Sequence, residues 1–188
     1  MTYAKGSGTG TCTAEGSTTD ETDYEAGATV TLQENGFSLS GHTFAGWTED
    51  DDDITISSNQ FTMPDHDVVI TASWTAKMDK YFDRMHDQTD ALHGGVEETE
   101  GTNEGKYYIP KEGCNYSIPT AVDSNTGDAC QTSHYKLQGW IAASHMKGYP
   151  DHMTGEIKTG EETYIFPPTG TKTATGATYY AIWAEVTE

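Results

Sequence analysis

Aliphatic side chains are scarce in this chain. Leu, Ile, Val and Phe together supply 24 of 188 residues, below the level at which a high net charge usually signals disorder. No apolar run approaches the roughly 18–20 residues of a membrane span. Basic residues are few as well: 10 Lys and Arg stand against 30 Asp and Glu, for a net charge of −20. Such a surface repels nucleic acid phosphates and anionic lipid headgroups. There are three cysteines and no Cys-x-x-Cys pair, which argues against a zinc ribbon or a thioredoxin-type site. No Gly-x-Ser-x-Gly elbow, His-Glu-x-x-His pair or phosphate loop ending in Lys-Ser or Lys-Thr occurs. No residue is assigned a catalytic role, and an enzyme is not expected.

Aromatics and threonine are plentiful. Twenty Phe, Trp and Tyr, each able to bury a large area, can make up for missing aliphatics. Thr is the commonest residue at 30, and it suits half-exposed strands. The expectation is a folded, mainly β chain with small aromatic-rich cores.

The aromatics recur in order. Gly41-His42-Thr43-Phe44-Ala45-Gly46-Trp47 is answered by His134-Tyr135-Lys136-Leu137-Gln138-Gly139-Trp140. A strand-like run closing on Trp follows each: Val68 to Trp74, and Thr178 to Trp183. Pro64 precedes the first of these and Pro167-Pro168 the second. Upstream, Ala28–Leu32 and Lys106–Pro110 are the corresponding candidate strands. Two tandem units follow, residues 1–76 and 77–188, with the boundary near Thr75–Lys80. The second is longer: 43 residues separate Trp140 from Trp183, against 27 between Trp47 and Trp74. Surface loops accept such insertions cheaply.

Side chains alternate across a strand, so Ala28, Val30 and Leu32 should face a core and Thr29 and Thr31 water. Val68, Ile70, Ala72 and Trp74 should share one face, as should Tyr179, Ala181 and Trp183. Trp47, Trp74, Trp140, Trp183, Phe44 and Leu137 are the expected core anchors; the rival role for the tryptophans is an exposed carbohydrate platform. Gly46 and Gly139, each next to a Trp, point to a bulge or a close backbone approach. Met78–His86 fits either a short helix, with apolar residues at i, i+3, i+4 and i+7, or the first strand of the second unit, which the repeat favours.

These motifs resemble the bacterial InlB B-repeat family, also called the Listeria–Bacteroides repeat. Tyr3-Ala4-Lys5-Gly6-Ser7-Gly8 resembles its opening, and Tyr24-Glu25-Ala26-Gly27-Ala28-Thr29-Val30-Thr31-Leu32 its second element. Gly41 to Trp47 resembles the third, with His42 in place of the usual Tyr, and Phe61-Thr62-Met63-Pro64 with Trp74 the last. The second unit keeps Leu137, Gly139, Trp140, Phe166, Pro167 and Trp183 but loses the Met-Pro pair. The resemblance implies a β-grasp-like fold with short twisted sheets. It also implies a non-catalytic stalk, spacer or adhesion-presenting module of an extracellular bacterial cell-surface protein. The implied partners are neighbouring domains of that larger protein.

Two other roles compete. The enlarged second unit could bind a host glycan or protein through its inserts, with Tyr149, His145, His152 and Met153 as candidate contacts, since long loops tend to carry function. Alternatively, strand edges could assemble into extracellular fibres. Cys114 and Cys130 flank a 15-residue insert; a disulfide between them would contribute about 3 kcal/mol. Cys12 is then either free or a link to another chain. Asp50, Asp51, Asp52 and Asp53 are a solvated loop or a Ca²⁺ site, since that cation takes oxygen ligands. No other cofactor is expected.

Overall fold

The computed structural model describes residues 1–82, 106–108, 114–119, 135–147 and 157–185. It is mainly β, with several short open sheets and two single-turn 3₁₀ segments, Ala143–His145 and Glu162–Tyr164. The chain divides into two compact units. One comprises Met1–Ala76 with Pro110–Cys114, the other Lys77–Ile109 with Asn115–Glu188. No helix among the described residues is long and apolar enough to cross a membrane.

The first unit contains β1 (Thr2–Ala4), β2 (Glu15–Gly16), β3 (Thr29–Thr31), β4 (Phe37–Ser38), β5 (His42–Thr48), β6 (Gln60–Thr62) and β7 (Val69–Ala76). Its main sheet has the order β1-β7-β5, with β1 parallel and β5 antiparallel to β7. β3 pairs with β6 and β2 with β4. Alternation sets the faces as the sequence suggests: Val30 and Leu32 are buried, and Thr29 and Thr31 are exposed. Val68, Ile70 and Ala72 point inward, and Trp74 is half-buried. Val30, Leu32, Ile54, Phe61, Met63, Val68 and Ile70 form a largely aliphatic core, with Tyr3 and Trp47 packed on its margin.

The second unit contains β8 (Asp79–Phe82), β9 (Lys106–Tyr108), β10 (Asn115–Ser117), β11 (Tyr135–Ala142), β12 (Thr171–Thr173) and β13 (Thr178–Glu185). Its sheet order is β11-β13-β8-β9, with β8 parallel and β11 antiparallel to β13. The stretch that could have been a helix is therefore strand at Asp79–Phe82. One expected correspondence needs correcting. Lys106–Tyr108 does not take the place of β3; it pairs with β8 as an edge strand. The strand paired as β3 is paired is β10, which lies against β12. The buried Tyr116 of β10 explains this, because its hydroxyl is needed beside Asp79.

Both units share a register break. In β5 it falls between Phe44 and Gly46, and in β11 between Leu137 and Gly139. A bulge adds one unpaired residue and bends the strand. It re-aims the Trp that follows. Trp140 is fully buried and its Nε1 donates to Pro119 O at 2.9 Å. Trp47 is half-buried and donates to Gln33 O at 3.1 Å. Trp74 is half-buried, packs edge-on against Phe44 at 5.7 Å and donates to Lys5 O at 2.8 Å. Leu137 lies on the margin of the second core, opposite Trp183 of β13 in the register.

Candidate functional site

The second core is built of rings where the first is aliphatic. Tyr81, Tyr116, Trp140, Ala174 and Tyr179 form it. Tyr81 meets Trp140 edge-on at 4.8 Å and stacks on Tyr179 at 5.0 Å. Phe166 packs edge-on to Tyr179 at 5.1 Å, and Lys172 Nζ stands 5.0 Å from the Phe166 centroid. A core of tyrosines must satisfy its hydroxyls, since a buried polar group without a partner is costly.

Asp79 meets that demand. It is fully buried at the start of β8. Oδ1 accepts from the backbone N–H of Thr175 (2.8 Å), Gly176 (2.8 Å) and Ala177 (3.0 Å), and from Thr175 Oγ1 (3.1 Å). Oδ2 accepts from the Tyr116 hydroxyl at 2.7 Å. Since Tyr116 donates there, Tyr81 donates to Tyr116 across 2.5 Å. Burial, then the Tyr81 and Asp79 oxygens, push the Tyr116 hydroxyl far up, so it stays protonated and keeps donating. The carboxylate thus nucleates the turn before β13 and orders the core. Nothing in the sequence marks this residue among 30 acids.

The acidic loop of the first unit folds on itself. Asp51 N–H donates to Glu49 Oε2 at 2.9 Å, and Asp53 N–H to Asp51 Oδ1 at 3.0 Å. His66 Nε2 sits 2.6 Å from Asp51 Oδ2. Ligand atoms of Asp51, Asp53 and His66 lie within 4.8 Å of one another, and all three residues are at least partly exposed. Of the four consecutive aspartates, only Asp51 and Asp53 enter this group. Ca²⁺ takes about six to eight oxygen ligands; two carboxylates and an imidazole would leave water to complete the shell.

The pair has a defined pH window. The His66 hydrogen bond holds the Asp51 carboxyl below its usual range, and Asp51 pushes His66 above its own. The His66 contribution is complete below about pH 6.5 and fades as pH rises through its raised value. The Asp51 contribution is complete above about pH 3.9 and fades as pH falls through its lowered value. Proton NMR should place the His66 midpoint above about 6.5, and Asp51→Asn should bring it back. An unshifted midpoint in the parent chain would rule out the pair. Little stability is at stake for so exposed a pair.

Asp20 is a second local anchor. It accepts from Thr22 N–H (3.0 Å), Tyr24 Oη (2.9 Å) and Gln33 Nε2 (3.2 Å). Burial opposes its ionisation, but these bonds outweigh burial, Thr22 first, and hold its carboxyl at about 2.

In the insert of the second unit, His145 stacks on Tyr164 at 4.1 Å, and its Nδ1 lies 2.7 Å from Glu161 Oε2. Tyr164 is exposed, and Lys158 Nζ donates to Ser144 O. Tyr149, His152 and Met153 lie outside the described residues, so of the four candidate contacts only His145 is placed. Cys130 also lies outside them. Cys114 is half-exposed. Burial, then the Cys114 thiol, push the Cys12 thiol up to about 12.

No curated protein and no solved structure matches the chain. Residues 6–78 match the family model described as the divergent InlB B-repeat domain. The matched stretch takes in the bulge after Phe44 and nearly all of the strands described for the first unit. Over residues 6–78 the first unit is thus similar to the divergent InlB B-repeat domain.

Proposed function

We propose that the chain is a non-catalytic tandem segment of an extracellular bacterial surface protein, a spacer that presents a neighbouring domain. Its second unit is a divergent, enlarged copy of the first. The observation that carries this reading is the recurrence of one arrangement in both units. A parallel first strand, an antiparallel partner and a bulge before Gly-Trp occur in each, around separate cores. Units with their own cores can be strung in series. Their acidic surface favours solubility.

Surface display tests it. A binding domain of known ligand, fused outward of this chain on a bacterial surface, should capture its ligand better than the same domain anchored directly. The chain alone should capture neither glycans nor host proteins from an array. Equal capture with and without the chain would refute the spacer role.

The exposed Tyr164 ring stacked on His145, with Glu161 alongside, supports a second reading. Such a surface suits the face of a sugar ring, and saturable glycan binding lost in Tyr164→Ala would favour it.

A further inference from the structure

The two units differ at one strand edge. In the second, Trp140 N–H donates to Phe166 O and Phe166 N–H donates to Trp140 O, both at 2.9 Å. Both backbone groups of Trp140 therefore point away from β13, and Phe166 closes the outer edge of β11 there. β5 has the same register around its own bulge. Trp47 stands opposite Ala72 as Trp140 stands opposite Ala181, and Gly46 opposite Ser73 as Gly139 opposite Ile182. Bonded and non-bonded pairs alternate along an antiparallel ladder, so Trp47 also aims its N–H and C=O outward. Its neighbours agree. Ala72 O faces Gly6, on the β1 side of β7, and Thr71 O faces β5, where it accepts from Thr48 Oγ1 at 3.2 Å.

The first unit leaves that edge open. Among the described residues, no backbone hydrogen bond from outside the β5–β7 pair reaches Trp47. Phe166 O fills the place that a Cβ on Gly139 would take, whereas among the described residues nothing lies within 4 Å of the same place beside Gly46. Phe61, which answers to Phe166 in the repeat, is used elsewhere, in β6 against Val30. An unpaired edge is a template for an extended peptide. Residues 49–53, all acidic, follow β5 directly. Asp50 and Asp52 are exposed and have no cationic partner among the described residues.

We propose that the outer edge of β5 at residues 46–48 binds an extended segment of a basic partner protein by strand addition. One aromatic residue of that segment takes the place that Phe166 holds against Trp140. Its N–H donates to Trp47 O, and its C=O accepts from Trp47 N–H. Lys or Arg on either side meets Asp50 and Asp52. A second copy of this chain is a poor occupant, because each copy carries a net charge of −20. The edge does not depend on the spacer reading, since a chain that bound glycans would present it equally.

The test is an NMR titration of the full chain with the peptide acetyl-Lys-Lys-Ile-Phe-Pro-Lys-Lys-amide. Saturable shifts should centre on the Gly46, Trp47 and Thr48 amides, with Trp140 unmoved because its edge is closed. The same peptide N-methylated at its Phe lacks the donor for Trp47 O and should bind about tenfold more weakly, the worth of one hydrogen bond. Gly46→Ala puts a methyl group in the open place at a cost in backbone strain that the fold can bear, and should weaken binding as much. Equal affinity for the N-methylated peptide, or of Gly46→Ala for the parent peptide, would reduce the contact to charge attraction and overturn the proposal. No saturation by about 1 mM, the weak end of specific binding, would also overturn it. So would shifts confined to other strands, or self-association through Trp47 without peptide.

Discussion

Asp79→Ala is expected to destabilise the second unit by about 3–5 kcal/mol, a large fraction of the stability of a small domain. The substitution removes the acceptor of three backbone N–H groups, the Thr175 hydroxyl and the Tyr116 hydroxyl. Each buried donor left without a partner costs about 1–3 kcal/mol, and some will find water. Asp79→Asn should be milder, at about 1–2 kcal/mol. Its amide oxygen can still accept from the Thr175–Ala177 turn. Its amide nitrogen would then donate to Tyr116, and Tyr116 would turn its own proton toward Tyr81. Urea unfolding followed by tryptophan fluorescence measures both variants. Trp140 and Trp183 report the second unit, and Trp47 and Trp74 the first, whose core is separate. An Asp79→Ala chain with the parent's midpoint for the second unit would show that the network is decorative.

The two bulge glycines should respond unequally to alanine. A Cβ on Gly139 would stand 2.1 Å from Phe166 O and 3.0 Å from Ile165 Cγ2. Backbone cannot yield there cheaply, because Phe166 exchanges two hydrogen bonds of 2.9 Å with Trp140. Accommodating the methyl group means opening that bridge and shifting the Phe166 ring off Tyr179. A loss of about 3 kcal/mol or more is expected, from the upper end of overpacking costs together with the broken bonds. Gly46 occupies the same bulge with φ of +137°, but a Cβ there meets nothing within 4 Å. Gly46→Ala should therefore cost only the backbone strain, about 1–2 kcal/mol. Paired urea titrations give the difference directly. Equal losses would mean that backbone conformation, and not the approach of Phe166, requires glycine at both places.

These contrasts show what the sequence could and could not reveal. Aromatic-Gly-Trp spacing marked both bulges, since a glycine before a large ring in a strand has few other uses. Period-two alternation placed Val30, Leu32, Val68 and Ile70 correctly, because one face of each strand is buried. The tryptophans were less uniform than repetition implied: Trp140 is fully enclosed, whereas Trp47 and Trp74 sit on margins. Lys106–Tyr108 is a strand as its composition suggests, but which strand it pairs with, β8, cannot be read from two adjacent tyrosines. The strand that takes the β3-like pairing, around Tyr116, is identified by a hydroxyl reaching Asp79 across 37 positions of sequence. Local pattern carries no record of such a contact. The same holds for the meeting of His66 with Asp51.

Strand direction has a consequence for a chain strung between two attachment points. In the first unit, the strand where the chain enters, β1, runs parallel to the strand where it leaves, β7, with Thr2, Tyr3 and Ala4 opposite Val69, Ile70 and Thr71. In the second unit, β8 and β13 repeat this, with Lys80, Tyr81 and Phe82 opposite Thr178, Tyr179 and Tyr180. Tension on the two ends of such a unit slides entry strand past exit strand. All the hydrogen bonds between them are then loaded together in shear, instead of being peeled apart one by one. Rupture needs them to fail at once, and forced unfolding follows the rate of that event rather than the equilibrium stability. A unit pulled by the outer ends of these two strands would therefore bear load in shear.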